Sequence, residues 1–101
     1  ETIGVNGKDK VEGYDIYFFK NGNPKQLKSY KNGKKHGVFI GWHKNGQMGS
    51  KASYYEGRRN GVVLLWSNSG ELISEGLYKD GSFVDVICYN TKGDIVECND
   101  N

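Results

Sequence analysis

A 24-residue period runs through the glycines and aromatic residues of this chain, and no other feature constrains its fold as tightly. Gly33, Gly57 and Gly81 stand at that interval, as do Gly13, Gly37 and Gly61. Gly22, Gly46 and Gly70 keep the same step, with Gly93 one residue early. Phe18, Trp42 and Trp66 follow it too, and so do Tyr30, Tyr54 and Tyr78. Self-similarity of this kind marks a repeat array, in which each unit packs only on its neighbours. The chain reads as one array of four units, approximately residues 5–29, 30–53, 54–77 and 78–101. The central two are regular. In the first, Gly7 stands two residues early for its column; in the fourth, Asp85 replaces the second glycine.

Within a unit, Asn21-Gly22, Asn45-Gly46 and Ser69-Gly70 are tight-turn dipeptides, because Asn and Gly accept left-handed dihedrals. The segments Val38 to Lys44 and Gln47 to Tyr55 have strand length, and Val62-Val63-Leu64-Leu65-Trp66 is strongly β-prone. Gly33-x-x-x-Gly37 then reverses the chain again. No segment carries a capped pattern of period 3.6. The prediction is an all-β fold: a single twisted antiparallel meander of about eight strands, built from tandem 24-residue β-hairpins. Fifteen glycines against one proline suit so many turns. At 36% hydrophobic residues a closed core is thin, so aromatic rings must supply much of the buried area.

The run Tyr30-Lys31-Asn32-Gly33-Lys34-Lys35-His36-Gly37, then Trp42, then Asn45-Gly46 and Met48, resembles the MORN repeat in its longer bacterial form. Tyr54, Gly57, Gly61, Trp66, Ser69-Gly70 and Leu72 repeat the match, and the outer units match in part. The resemblance covers the chain from about Val5 to Cys98. It implies a MORN-like hairpin array. Among bacterial proteins the array is similar to the YwqK-type antitoxin family, which implies an antitoxin or immunity protein that binds a toxin. Eukaryotic relatives are membrane-associated or scaffolding modules, which implies the second reading, an envelope-associated module on an anionic surface. Both implications are analogies from a fold.

Strand alternation sorts the side chains onto two faces. Tyr14, Ile16 and Phe18 align with Val38, Ile40 and Trp42, with Val62, Leu64 and Trp66, and with Val86 and Cys88. Pro24, Met48, Leu72 and Ile95 join them from the returning strands. This first face is expected to be the core. The second face carries Tyr17, Phe19, Phe39, His43, Val63, Leu65, Ile87 and Tyr89. A single layer with water on one side should be polar there. These residues are therefore the expected partner-binding set, unless the sheet curls over them. The open edges of the meander offer a further route, strand addition by another chain.

The basic groups form a second candidate. Lys34 and Lys35, then Arg58 and Arg59 one unit later, line one edge, and Lys8, Lys10, Lys31 and Lys79 extend it. With Tyr30, Tyr54, Tyr55 and Tyr78 nearby, this is a basic, aromatic strip suited to an acidic toxin surface, an anionic lipid or a nucleic-acid backbone. The net charge of +2 does not call for nucleic acid.

Catalytic chemistry finds no footing. His36 and His43 lack metal-ligand spacing and have no neighbouring Cys, so no metal or other cofactor is expected. His36 falls where the next unit has Asn60, and a turn role accounts for it. Gly-x-Ser-x-Gly is absent. The carboxylates, Asp9 and Glu75 among them, are scattered over turns rather than paired across a cleft. Cys88 and Cys98 flank the last turn, where a disulfide could staple the terminal hairpin in an oxidising compartment. Against it, the repeat alignment sets Cys88 in the first-face column with Leu64 and Cys98 with Glu75 on the other face. Bacterial cytoplasm and, after removal of a leader, periplasm or envelope both stay open. The expected function is a non-enzymatic protein-binding module.

Overall fold

The computed structural model describes residues 3–6 and 12–98. Gly7, Lys8, Asp9 and Lys10 lie outside the described residues. The chain forms one open antiparallel sheet: β1 (Ile3–Asn6), β2 (Glu12–Phe18), β3 (Pro24–Lys31), β4 (Lys34–Lys35), β5 (Gly37–Trp42), β6 (Met48–Tyr55), β7 (Arg58–Arg59), β8 (Gly61–Trp66), β9 (Leu72–Lys79), β10 (Ser82–Tyr89) and β11 (Ile95–Val96). The order is β1-β2-β3-β5-β6-β8-β9-β10-β11, with β4 on β3 and β7 on β6. The all-β meander is as expected. Among the described residues the strand count exceeds eight because each central return segment divides in two and β1 adds a strand ahead of β2. The Cα trace measures 42 × 35 × 19 Å, so the layer is twisted and curled rather than flat.

Two turn types alternate along the array. At the Gly22, Gly46, Gly70 and Gly93 column, the glycine N–H donates to the carbonyl three residues back, and the N–H of that same residue donates four residues forward. Phe19, His43, Ser67 and Asn90 occupy this closing position. Only the glycine has positive φ there, so these are three-residue loops and not turns with a left-handed pair. The left-handed pair sits at the other edge, in Asn32-Gly33, Glu56-Gly57 and Asp80-Gly81, and makes two-residue hairpins.

Asn tolerates that conformation; Glu56, at φ 53°, does so with less ease. Its carboxylate gains only an exposed contact of 3.9 Å with Lys34. Glu56→Gly should therefore raise the unfolding free energy by about 0.5 kcal/mol or slightly more, read as a higher urea midpoint at unchanged slope.

Hydrogen bonds tie unit to unit at both edges. Asn21 and Asn23 each donate from Nδ2 to the Lys44 carbonyl, at 3.2 and 3.0 Å, and Asn45 Nδ2 donates to the Asn68 carbonyl at 2.9 Å. At the opposite edge the N–H groups of Gly57 and Gly81 donate to the Lys35 and Arg59 carbonyls, both at 2.8 Å. His36 Nδ1 accepts from the Glu56 N–H at 3.3 Å, as Asn60 Oδ1 accepts from Asp80 at 3.1 Å. His36 is thus a turn residue with an asparagine's task.

The first face is not a core. Its residues do line up in a row across the sheet, from Ile16 through Leu27, Ile40, Lys51, Leu64 and Glu75 to Ile87. Yet among the described residues no hydrophobic side chain is buried on either face. A single layer has nothing to pack against it, and the curl does not close. The most buried side chains are Asp15 and Ser74, 5% and 9% exposed, both on the second face.

The last unit departs from the alternation. In the third unit β6 pairs Tyr54 with Arg59, then Lys51 with Leu64, so the return strand holds two extra residues and alternation is preserved. Gly61, at φ +106°, occupies that bulge. In the last unit Tyr78 pairs with Phe83 and Leu77 with Asp85, leaving one extra residue, Val84. A one-residue slip exchanges the faces of everything beyond it. Val86 and Cys88 consequently lie on the second face, opposite Gly76 and Ser74, and Ile87 and Tyr89 lie on the first. Asp85, which stands in place of the glycine, is the reason: it cannot readily supply the conformation that the two-residue bulge needs.

Candidate functional site

On the second face, β4 and β7 put cations among aromatic rings. Within a two-residue strand the side chains alternate, so Lys35 and Arg59 fall on this face, paired with Tyr30 and Tyr54. Lys34 and Arg58 do not. Lys34 meets Glu56 at the exposed edge, and Arg58 lies against Gly81 of the next turn.

The resulting row is continuous. The Tyr30 and Phe39 rings meet edge to face at 6.0 Å, and Phe39 and Tyr54 are 4.6 Å apart. Lys35 Nζ sits 5.7 Å from the Phe39 ring and 5.2 Å from that of Tyr54. Arg59 donates from Nε to the Tyr54 hydroxyl at 3.3 Å and lies 5.1 Å over the Tyr78 ring. Tyr78 meets Phe83 at 5.8 Å. Cations over ring faces are attracted by the ring quadrupole. The Tyr54 hydrogen bond also holds the Arg59 guanidinium above its ordinary value.

Beside the row the small residues Gly41, Ser50 and Ala52 floor a shallow depression of about 260 Å³, bordered by Phe39, Val63 and Leu65. A Cβ at Gly41 would meet Ser50 Oγ at 2.8 Å, a contact that rotation of the serine side chain relieves. The face thus presents an aromatic, cationic bank along a low floor.

The expected partner-binding residues divide accordingly. Tyr17, Phe39, Val63 and Leu65 share the second face, and Lys28 lies 5.5 Å over the Tyr17 ring. Phe19 and His43 fall just past β2 and β5, in the turns. His43 Nε2 makes a 2.9 Å hydrogen bond with the Trp66 carbonyl, joining two units. Ile87 and Tyr89 leave the set for the opposite face, through the slip at Val84. Lys35 and Arg59 enter it from the basic edge. Alternation within Lys34-Lys35 and Arg58-Arg59 is the signal that separates the four cations, once each pair is known to be a strand.

Tyr89 donates its hydroxyl to Glu75 Oε1 at 2.7 Å on the first face. That bond, with some desolvation, raises the phenol above its usual value of 10.0. A group raised on folding contributes stability that is complete below its unfolded value and is lost as pH climbs through the folded one. Raising the pH beyond 10 should therefore lower the unfolding midpoint, and Tyr89→Phe should lessen that decline in a pH series of urea melts.

A disulfide joins Cys88 and Cys98, with Cα atoms 5.3 Å apart. Among the described residues no group of three or more His, Cys, Asp or Glu side chains is placed to hold a metal ion. Comparison with protein-family models, curated proteins and solved structures yields no match to the chain.

Proposed function

We propose that the chain is a non-enzymatic repeat module that binds a protein partner through its second face, with the row from Tyr30 to Phe83 as anchor. The observation that carries this reading is the threading of Lys35 and Arg59 between the rings of Phe39, Tyr54 and Tyr78. Tyrosine and arginine dominate the energetics of protein interfaces, and rigid rings lose little entropy on contact. Each of the two central units adds one cation, Lys35 and Arg59, and a unit is two strands wide, roughly 10 Å. A partner with carboxylates at about that interval fits. The resemblance to bacterial antitoxins narrows the partner to a toxin, with the chain as its immunity-type counterpart.

The test is a pull-down from native lysate and envelope fractions with wild-type chain as bait, followed by calorimetry on the recovered protein. Arg59→Ala should weaken a one-to-one complex by about thirtyfold, while Lys51→Ala on the first face leaves it within about twofold. The reverse pattern would overturn the assignment of the face.

A second reading draws on the exposed cations Lys31, Lys34 and Arg58 at the turn edge. It is a scaffold or envelope-associated module on an anionic surface. Recovery of anionic phospholipid alone, lost with added salt and with Lys34→Ala and Arg58→Ala, would favour it.

A further inference from the structure

The return strands β5 and β8 are covered along their length, whereas β4 and β7 before them pair with a strand on one side only. β6 pairs with β5 from Gly37 to Trp42, and β9 pairs with β8 from Gly61 to Trp66. β11 reaches only Cys88 and Tyr89 of β10. The outer edge of β10 from Phe83 to Ile87 therefore has no strand beside it among the described residues. The carbonyls of Lys35 and Arg59 accept from the glycine of the following turn, and the equivalent Phe83 carbonyl has no such partner among the described residues. Phe83 and Val84 are 57% and 52% exposed, in a stretch rich in β-prone residues.

The face beside this edge is also unlike its counterparts. Through the slip at Val84, Asp85 and Ile87 join Val62, Leu77 and Glu75 around an apolar groove of about 220 Å³. One unit earlier the positions of Glu75, Leu77 and Asp85 are held by Lys51, Ser53 and Gly61. An apolar floor with two carboxylates at its rim thus occurs at the end of a chain whose net charge is +2. Tyr89 fixes one of the carboxylates, that of Glu75.

We propose that the outer edge of β10, from Phe83 to Ile87, takes up an extended segment of a partner protein as an additional antiparallel strand, with a lysine or arginine of that segment opposite Asp85. The Val86 N–H on this edge is held by Asp85 Oδ1 at 2.8 Å. A carbonyl of the incoming strand takes its place, which frees the carboxylate for the base, and main-chain hydrogen bonds continue the existing sheet as in other cases of strand addition. Residues directly opposite share a face, so the basic side chain lies on the first face with Asp85, its stem over the groove. The residues opposite Val86 and Ile87 are apolar, one on each face.

A second copy of the chain is a poorer occupant. The symmetric register that uses the whole stretch from Phe83 to Ile87 sets Asp85 against its own copy, and like charges directly opposite are destabilising. β11, tied down by the disulfide, bars a shift toward Tyr89. Asp85 thus rejects the chain's own edge while selecting a base, which is specificity by repulsion and attraction at one residue.

The residues of this edge other than Phe83 are separate from the aromatic row, so the two proposals fail separately. The probe is a fluorescein-labelled, end-blocked peptide Thr-Val-Val-Lys-Val-Thr, compared with the same peptide carrying Glu for Lys. Anisotropy titrations should show the Lys peptide binding about five- to tenfold more tightly to wild-type chain. Asp85→Asn should remove the preference and Asp85→Lys reverse it, with amide exchange slowed by peptide at Phe83 to Ile87. Equal binding of both peptides, no binding, or slowed exchange elsewhere would overturn the proposal. Concentration-dependent protection of the same amides without peptide would also overturn it, in favour of a second copy.

Discussion

Gly61→Val should lower the unfolding free energy by about 2–3 kcal/mol, a large share of the stability of a 101-residue chain. The reason is purely one of backbone. Gly61 has φ +106°, and a Cβ at this position meets nothing within 4 Å, so no clash contributes. A β-branched residue is excluded from that region of φ by its own neighbours. The chain has one way to relieve the strain, and the last unit displays it: drop one residue from the bulge. That slip would turn Val62, Leu64 and Trp66 to the second face and break their register with Leu77, Glu75 and Leu72. Either route costs stability. Urea unfolding followed by tryptophan fluorescence measures the loss, since Trp66 reports on the displaced strand. A loss under about 0.5 kcal/mol would mean that the two-residue bulge does not depend on glycine.

Much of this architecture is legible in the sequence, because a repeat repeats its turns. The Gly and aromatic columns give the unit length, the alternation of turns and the absence of helix, and the sheet follows those columns as far as the slip at Val84. His36 was readable as a turn residue from its alignment with Asn60, and His36 Nδ1 and Asn60 Oδ1 accept equivalent backbone hydrogen bonds. What the columns conceal is phase. Asp85 in the glycine position marks an irregularity in the fourth unit, but whether a bulge holds one residue or two depends on pairing energetics across strands. That single residue moves Ile87 and Tyr89 from one face to the other. The absence of a core is hidden for a different reason. Periodicity identifies which side chains share a face, and it says nothing about whether a second layer exists to bury them. The candidate row falls between these cases. Its rings and cations stand out by composition, while the separation of Lys35 from Lys34, and of Arg59 from Arg58, needs the knowledge that each pair is a two-residue strand.

Cys98→Ser should cost about 2–3 kcal/mol in the stability of the terminal hairpin, by the chain-entropy argument for a loop of this size. The bond closes a sequence separation of 10 residues around the last turn. Little else holds β11. It pairs through two residues, Ile95 and Val96, both exposed, and the turn before it is braced by Asn90 Oδ1 accepting from the Lys92 and Asp94 N–H groups at 2.8 and 3.0 Å. Two paired residues and one capped turn fall short of what an isolated hairpin needs in water. Without the disulfide, the amides of Ile95 and Val96 should exchange near the rate of an unstructured chain, and Tyr89 should lose protection with them. Strands β5 to β8 should keep theirs, because stability in a repeat array is carried by nearest-neighbour contacts and frays from its ends. Hydrogen exchange on wild-type and Cys98→Ser chains distinguishes this local loss from a global one. A uniform loss across all units would show that the array unfolds as one cooperative block, with the terminal disulfide setting the stability of the whole. Unchanged protection at Tyr89 would assign the hold on β11 to the Asn90 turn instead.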